Sequence, residues 1–257
     1  MNNEDKSIHD FDFSLICEYF AGMERQGPGS SEITVKALSC IDNLSEDSRI
    51  ADIGCGTGGQ TMVLAQNARG YITGIDIFPK FIDIFNQNVA RLSLQDRVRG
   101  VVASMAGLPF SENELDLIWS EGAIYNIGFE EGVNRWRKFL KKGGYLAVSE
   151  ASWFTSERPP EIESYWNDAY PGIDTIPNKI AQLQKAGYIP VATFILPEKC
   201  WTNNFYEPQV AIQKDFLGKH PSDIIAEEMI AAFRHEARMY SMFKDYYGYV
   251  FYIGKRI

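Results

Sequence analysis

The sequence predicts an α/β fold, a mostly parallel sheet with helices on both faces. From Arg49 onward, short apolar runs alternate with segments of helical periodicity, the pattern that βαβ units leave in a sequence. The first run ends at Asp52 and gives way to Gly54, Gly56, Gly58 and Gly59 before a helical pattern begins, which reads as strand, tight turn and helix start. The next run ends at Asp76, 22 residues after Gly54.

Ahead of the sheet, residues 12–21 carry Phe13, Ile16, Tyr19 and Phe20 at near-helical spacing until Gly22 ends the pattern. Core packing is the ordinary use of such a helix, and a lid over a ligand is the functional one. Residues 26–29 form a flexible connection. Ser30 or Ser31 then caps a helix that buries Ile33, Ala37, Leu38 and Ile41. Strands are expected over residues 49–52, 71–76, 98–103, 115–120 and 145–149, with helices between them. Phe81, Ile84, Phe85, Val89 and Leu92 make the buried stripe of one helix, and Val133, Trp136, Phe139 and Leu140 that of another. Residues 175–186 read as a further helix with Pro177 in its first turn and Gly187 past its end. Strands follow at 191–196 and 249–253. Residues 197–248 are too long for a hairpin loop, and Ile225, Met229, Phe233 and Tyr240 recur there at roughly helical spacing.

In open α/β sheets ligands bind beyond the carboxyl ends of the strands, so Asp52, Asp76, Ser104, Ser120, Glu121 and Glu150 converge on one rim. The glycines remove Cβ atoms where a ligand must lie against the main chain, and the following helix offers unpaired N–H groups. Asp76 has the spacing at which an acid reaches a ribose diol. Asp52 separates the ligands that such a turn could hold. At about 6 Å it would repel each phosphate charge of a dinucleotide by roughly 3 kcal/mol at an effective dielectric near 20. That disfavours a nicotinamide-dependent oxidoreductase, for which the chain also lacks an obvious proton-relay motif. S-adenosylmethionine has a ribose, no phosphate, and cationic ammonium and sulfonium groups. A glycine-rich turn with a capping Asp is the purely structural alternative.

Asp52-Ile53-Gly54-Cys55-Gly56-Thr57-Gly58-Gly59 resembles the first motif of the class I S-adenosylmethionine-dependent methyltransferases, and Gly74-Ile75-Asp76 resembles their ribose-binding acid. Leu108-Pro109-Phe110, Leu115-Asp116-Leu117-Ile118-Trp119-Ser120 and Leu140-Lys141-Lys142-Gly143-Gly144-Tyr145-Leu146 follow at that family's intervals. Together they resemble its ubiquinone/menaquinone-type branch, which methylates small molecules. The resemblance covers residues 47–150 and, more faintly, 183–196. It implies a Rossmann-like sheet of seven strands with the last antiparallel, S-adenosyl-L-methionine as cofactor and a small-molecule acceptor. The implied cofactor residues are Asp52, Gly54, Gly56, Gly58, Asp76, Ile77, Ser104, Met105 and Ser120. Ser104 stands where the family commonly has an acid for the adenine amino group; its hydroxyl or the main chain around it can accept the same bond. The chain is read as a single methyltransferase domain over 1–257, with a lid segment at 1–29, a cofactor-binding core at 45–150 and acceptor-cap insertions at 151–174 and 197–248.

Methyl transfer from a sulfonium is an in-line displacement in which the protein mainly aligns the reactants and excludes water. It needs no metal, and His9, His220 and His235 show no metal-ligand spacing and read as solvated surface residues. If the acceptor must lose a proton, Glu121 and Tyr125 are the nearest candidate catalytic groups, with Asn126 as a hydrogen-bond donor. A solvent-facing acid and a packing tyrosine are their structural alternatives. Trp153, Trp201 and Tyr206, within the aromatic set that also holds Tyr165, Trp166, Tyr170 and Phe205, are candidates for an acceptor pocket. Such rings suit a flat apolar acceptor or a cationic amine.

Composition sets outer limits. A chain of 257 residues with 45% hydrophobic content can bury a full core. A net charge of −9 without a Lys/Arg cluster argues against nucleic acid as partner. Cys17, Cys40, Cys55 and Cys200 fit neither a zinc nor a disulfide pattern and read as reduced thiols of a cytoplasmic protein. Residues 1–12 lack the apolar core of a signal peptide, and no apolar run reaches the roughly 18 residues of a membrane span. A homodimer is compatible with these properties. A module that binds S-adenosylmethionine without turnover is the remaining alternative class.

Overall fold

The structure, a computed structural model, describes residues 11–257. The polar start of the chain, the first part of the expected lid and His9 lie outside the described residues. The sheet contains β1 (Arg49–Ile53), β2 (Tyr71–Asp76), β3 (Val98–Val102), β4 (Leu115–Glu121), β5 (Leu140–Trp153), β6 (Asp174–Thr175), β7 (Tyr188–Ile195) and β8 (Tyr247–Arg256). Its order is β3-β2-β1-β4-β5-β8-β7, with the two-residue β6 pairing beside β5. β8 runs antiparallel to both β5 and β7, and the strands from β3 to β5 are mutually parallel. The helices are α1 (Phe13–Phe20), α2 (Ser31–Leu38), α3 (Gly59–Asn67), α4 (Pro79–Arg91), α5 (Phe129–Trp136), α6 (Pro160–Ala169), α7 (Ile176–Lys185), α8 (Lys199–Trp201), α9 (Glu207–Lys219) and α10 (Ile224–Phe243).

Local chemistry explains the boundaries. Ser30 caps α2 by accepting from Ile33 N, Asp12 caps α1 from Ser14 N, and Asp223 caps α10 from Ile225 N and Ala226 N. In α4 the buried stripe takes Ile82 where Leu92 was expected, because Leu92 is the C-cap and turns outward. In α10, Ile225 lies in the first turn and is exposed, while Ala226 and Ile230 face inward. β5 is longer than its expected 145–149 because β8 pairs with it from Tyr145 to Trp153, so residues 151–153 are sheet rather than cap. β7 starts three residues before 191; Pro190 is accommodated by a register shift against β8. β6 is too short to leave a periodic signal.

Two apolar layers sandwich the sheet. One joins α2, α3 and α4 to Trp119, Tyr249 and Phe251; the other joins α5 and α7 to Ile53, Ile118 and Val148. A third cluster lies at the rim, where α1 packs on α9 and α10 through Tyr19, Phe20, Phe216, Met229 and Phe233. Tyr19 also donates to Gln209 Oε1 across 2.8 Å. The N-terminal helix and the late helices therefore form one layer over the carboxyl ends of the strands. Between α8 and α9, a π-helical turn at Thr202–Tyr206 shifts the helix face and turns Phe205 and Tyr206 toward this layer.

Glu150 at the end of β5 and Lys179 of α7 form a fully buried ion pair at 3.4 Å. Lys179 also donates to Gly172 O and lies 4.7 Å from the centroid of the Phe129 ring. Burial raises the carboxyl of Glu150 and lowers the amine of Lys179 from their ordinary values, and each partner's charge opposes that trend. Lys179→Met leaves a buried carboxylate unpaired and should cost about 3–5 kcal/mol in denaturant unfolding. The double variant with Glu150→Gln should recover most of that loss; an additive double variant would mean the pair is not coupled.

Candidate functional site

The glycine turn after β1 is shaped by what presses on it. Gly54, Gly56 and Gly58 have φ of +74°, +54° and +94°, a region that side chains disfavour. A Cβ at Gly54 would collide with Ala123 Cβ, and one at Gly56 with Gln26 Oε1. Gln26 Oε1 accepts from Thr57 N at 3.1 Å, and its Nε2 donates to Thr57 Oγ1 at 3.0 Å and Met23 O at 2.8 Å. The turn is thus clamped to the segment that follows α1.

Asp76 closes the other side. Its Oδ2 accepts from Gly56 N at 2.9 Å and its Oδ1 from Phe78 N at 3.0 Å. Burial raises its carboxyl, partly offset by these two N–H donors. A carboxylate offers about four lone-pair sites, so two bonds leave capacity for hydroxyl donors. Asp52 is fully buried beneath the turn, where Thr61 Oγ1 donates to Oδ2 and Oδ1 has no partner among the described residues. Burial above all, with the charge of Glu121 adding to it against the Thr61 hydrogen bond, pushes Asp52 up to about 7.

A cavity of about 400 Å³ opens over this turn. Of the residues expected to hold a cofactor, Gly54, Gly56, Asp76, Ile77, Ser104 and Met105 line it. Asp52, Gly58 and Ser120 do not: Asp52 lies under the turn, Gly58 packs on Phe85 and Met62, and Ser120 donates inward to Ile53 O at 2.8 Å. Phe13, Ile16 and Phe20 of α1 form one wall, and Phe78 and Ala123 contribute further surface. The apolar stripe of α1 was a usable signal for that wall. Phe78 and Ala123 had none, since each is one apolar residue in a connection.

Glu121 lines the same cavity, yet both its oxygens are engaged. Oε2 accepts from Arg25 at 2.9 Å, and Oε1 accepts from Thr34 Oγ1 at 2.6 Å and Trp119 Nε1 at 3.0 Å. This places Glu121 as the anchor of residue 25 rather than as a solvent-facing acid or a poised base. Tyr125 is pushed up to about 12, chiefly by burial, so at neutral pH its hydroxyl keeps its proton. It can donate a hydrogen bond and is a poor base. The two described histidines also have partners beyond solvent: His220 Nε2 lies 3.1 Å from Glu18 Oε1, and His235 packs on the Tyr165 ring.

A second cavity of about 120 Å³ adjoins the first. Phe20, Gln26, Gly27, Pro28, Gly122 and Tyr125 belong to both walls. Trp201 and Tyr206 line it, whereas Trp153 does not; it is buried against the Arg158 guanidinium, 4.2 Å from its ring, and against Tyr247. Glu236 of α10 also lines it and accepts from the Tyr206 hydroxyl at 3.0 Å. That acid was missed. Its signal was in the sequence, because it interrupts the apolar stripe of α10 between Phe233 and Tyr240.

Residues 51–148 match the family model described as "Methyltransferase domain". Over those residues the chain is similar to a methyltransferase domain. Phosphoethanolamine N-methyltransferase of Plasmodium falciparum (isolate 3D7) is 30% identical over 138 residues, covering 52% of this chain and 50% of that one. Sterol 4-C-methyltransferase strm-1 of Caenorhabditis elegans is 30% identical over 148 residues, covering 52% of this chain and 43% of that one. The chain therefore spans about half the length of these relatives. A solved S-adenosylmethionine-dependent methyltransferase from Geobacter sulfurreducens, in complex with S-adenosyl-L-homocysteine, superposes with a TM-score of 0.82 at 18% identity over 96% of this chain and 99% of that one. The cyclase SpnF superposes with a TM-score of 0.73 at 19% identity over 95% and 91%. The likeness in sheet architecture thus extends beyond residues 51–148 to nearly the whole chain. Among the described residues, no helix is long and apolar enough to cross a membrane.

The glycine turn carries a testable electrostatic signature at Asp52. Its folded-state value of about 7 exceeds the ordinary 3.8, so the native state retains a proton that the unfolded chain has lost. This group's contribution to stability is full below about pH 4 and falls as pH rises to about 7. Urea unfolding at several pH values should show wild type losing roughly 4 kcal/mol relative to Asp52→Asn across that window. Parallel profiles for the two proteins would contradict the buried, proton-retaining carboxyl.

Proposed function

We propose that the protein transfers a methyl group from S-adenosyl-L-methionine to a small-molecule acceptor. The observation that carries this reading is the pair of adjoining cavities with a common wall at Gly122 and Tyr125. The larger has the features that suit the cofactor. Asp76 retains acceptor capacity for a ribose diol, and Gly54 and Gly56 line the same space. Ile77 and Met105 offer apolar surface to a flat base, and Ser104 offers a hydroxyl to its amino group. The buried carboxyl of Asp52 beneath the turn favours a ligand without negative charge above it.

When bound, the cofactor supplies an electrophilic methyl group whose leaving group is a neutral thioether. The protein's part is alignment and exclusion of water, which together can be worth several kcal/mol. Residues of α1 and 25–28 roof the cofactor cavity, and the N-terminal segment acts as the lid. Trp201, Tyr206 and their neighbours receive the acceptor, so the late helices act as its cap. Tyr125 borders both cavities and positions the acceptor through its hydroxyl. Phosphoethanolamine and sterols, in the names of two relatives, are both small molecules. The likeness to a cyclase shows that this architecture also hosts another chemistry. Transfer must therefore be observed directly.

Incubation with metabolite extracts and isotopically labelled S-adenosylmethionine should move label into a small molecule. Tight cofactor binding without any transfer would instead favour a non-catalytic binding module. Asp76→Ala should weaken S-adenosylmethionine binding by about 1.5–3 kcal/mol in titration calorimetry, through loss of charge-assisted hydrogen bonds. Unchanged affinity in a folded variant would mean that the cofactor lies elsewhere.

A further inference from the structure

The smaller cavity combines many rings with a single charge. Tyr165, Trp166, Tyr170, Trp201, Tyr206 and Tyr249 line it. Several of these rings meet at steep angles, Trp201 with Tyr249 at 70° and 4.8 Å and Tyr165 with Trp166 at 83° and 5.6 Å. Edge-to-face contacts of this kind are a favoured ring geometry and hold the wall rings in fixed orientations. Among the described residues, Glu236 is the only carboxylate in the wall, and no lysine, arginine or histidine lines the cavity. Glu236 accepts one hydrogen bond, from Tyr206, and a carboxylate has about four acceptor sites. Burial raises its carboxyl, and no basic group among the described residues opposes that rise. A half-buried carboxylate without a counter-ion is unfavourable, and a cation in the adjacent space would relieve it.

We propose that this cavity holds the cationic group of an organic amine or quaternary ammonium compound, with Glu236 as counter-charge and the surrounding rings as its cage. The assignment rests on the methyl-acceptor reading above and narrows it to a substrate class. Aromatic faces attract cations, and desolvation strengthens that attraction. The same wall disfavours phosphate. Phosphoethanolamine and geranyl diphosphate, in the names of relatives, carry phosphate groups that would meet Glu236 with no basic residue to offset it. The cationic end therefore enters this cavity without a phosphate beside it.

Choline and 3,3-dimethylbutan-1-ol have nearly the same shape and differ in charge, which makes them suitable probes. Each is titrated by calorimetry into the protein saturated with S-adenosyl-L-homocysteine. Choline should bind at least about tenfold more tightly than the alcohol and more tightly than phosphoethanolamine. Glu236→Gln keeps an acceptor for Tyr206 and should remove most of choline's advantage. Equal affinities, no binding of either probe, or an unchanged preference in Glu236→Gln would overturn the assignment. The S-adenosyl-L-homocysteine titration that precedes each run separates the two readings. Its failure in wild type would undermine the methyltransferase reading itself, whereas its success without charge preference rejects the cationic cage alone.

Discussion

Most of the site depends on the close approach of residues 24–26 to the glycine turn. A side chain at Gly56 would strike Gln26, and one at Gly59 would strike the main chain of Glu24. With both positions bare, Gln26 reaches Thr57, and Arg25 reaches Glu121 at the end of β4. These bonds are buried or partly buried, where an unmade partner would cost about 1–3 kcal/mol. They fix the exit of α1, which in turn lets Phe13, Ile16 and Phe20 roof the larger cavity while Tyr19 and Phe20 pack on the late helices. The glycines thus serve protein contacts as well as ligand access.

The carboxyl ends of the central strands carry a row of acids in different states. Glu121 is paired with Arg25 and Glu150 with Lys179, while Asp76 is held by backbone N–H groups. Among the described residues, Asp52 beneath the turn and Glu236 on α10 have no ion-pair partner, and burial raises them as it raises Asp76 and Glu150. Fully paired acids build structure. Asp52 and Glu236 lie below the larger cavity and in the wall of the smaller, where a ligand without negative charge suits them.

The sheet was legible because its signals are local. Arg49 to Ile53, the glycine turn and Asp76 each follow from a period or a backbone requirement within a few residues. Distinguishing a lining residue from a buried one was not legible in the same way. Ser120 stands in the right motif yet its hydroxyl faces inward, since a strand position does not fix the partner of its side chain. Glu121 looked like an available acid because Arg25 and Thr34 lie 96 and 87 residues away in sequence. Trp153 was grouped with the cap aromatics by composition, and the pairing of β5 with β8 carries it into the sheet. Tyr206 reached the smaller cavity through a π turn that no periodic pattern announces.

The wall common to the two cavities has a consequence for how the site can change. Phe20, Gln26, Pro28 and Tyr125 face both spaces, so altering their bulk for one occupant alters the volume offered to the other. Occupancy of one space bears on the same side chains that bound the other, and linkage makes any such influence mutual. The far side of the smaller cavity is different: Trp166, Tyr170 and Glu236 border that space alone. Substitutions at these positions on and just after α6 and on α10 can therefore change what the smaller space accepts while leaving the requirements of the glycine turn untouched.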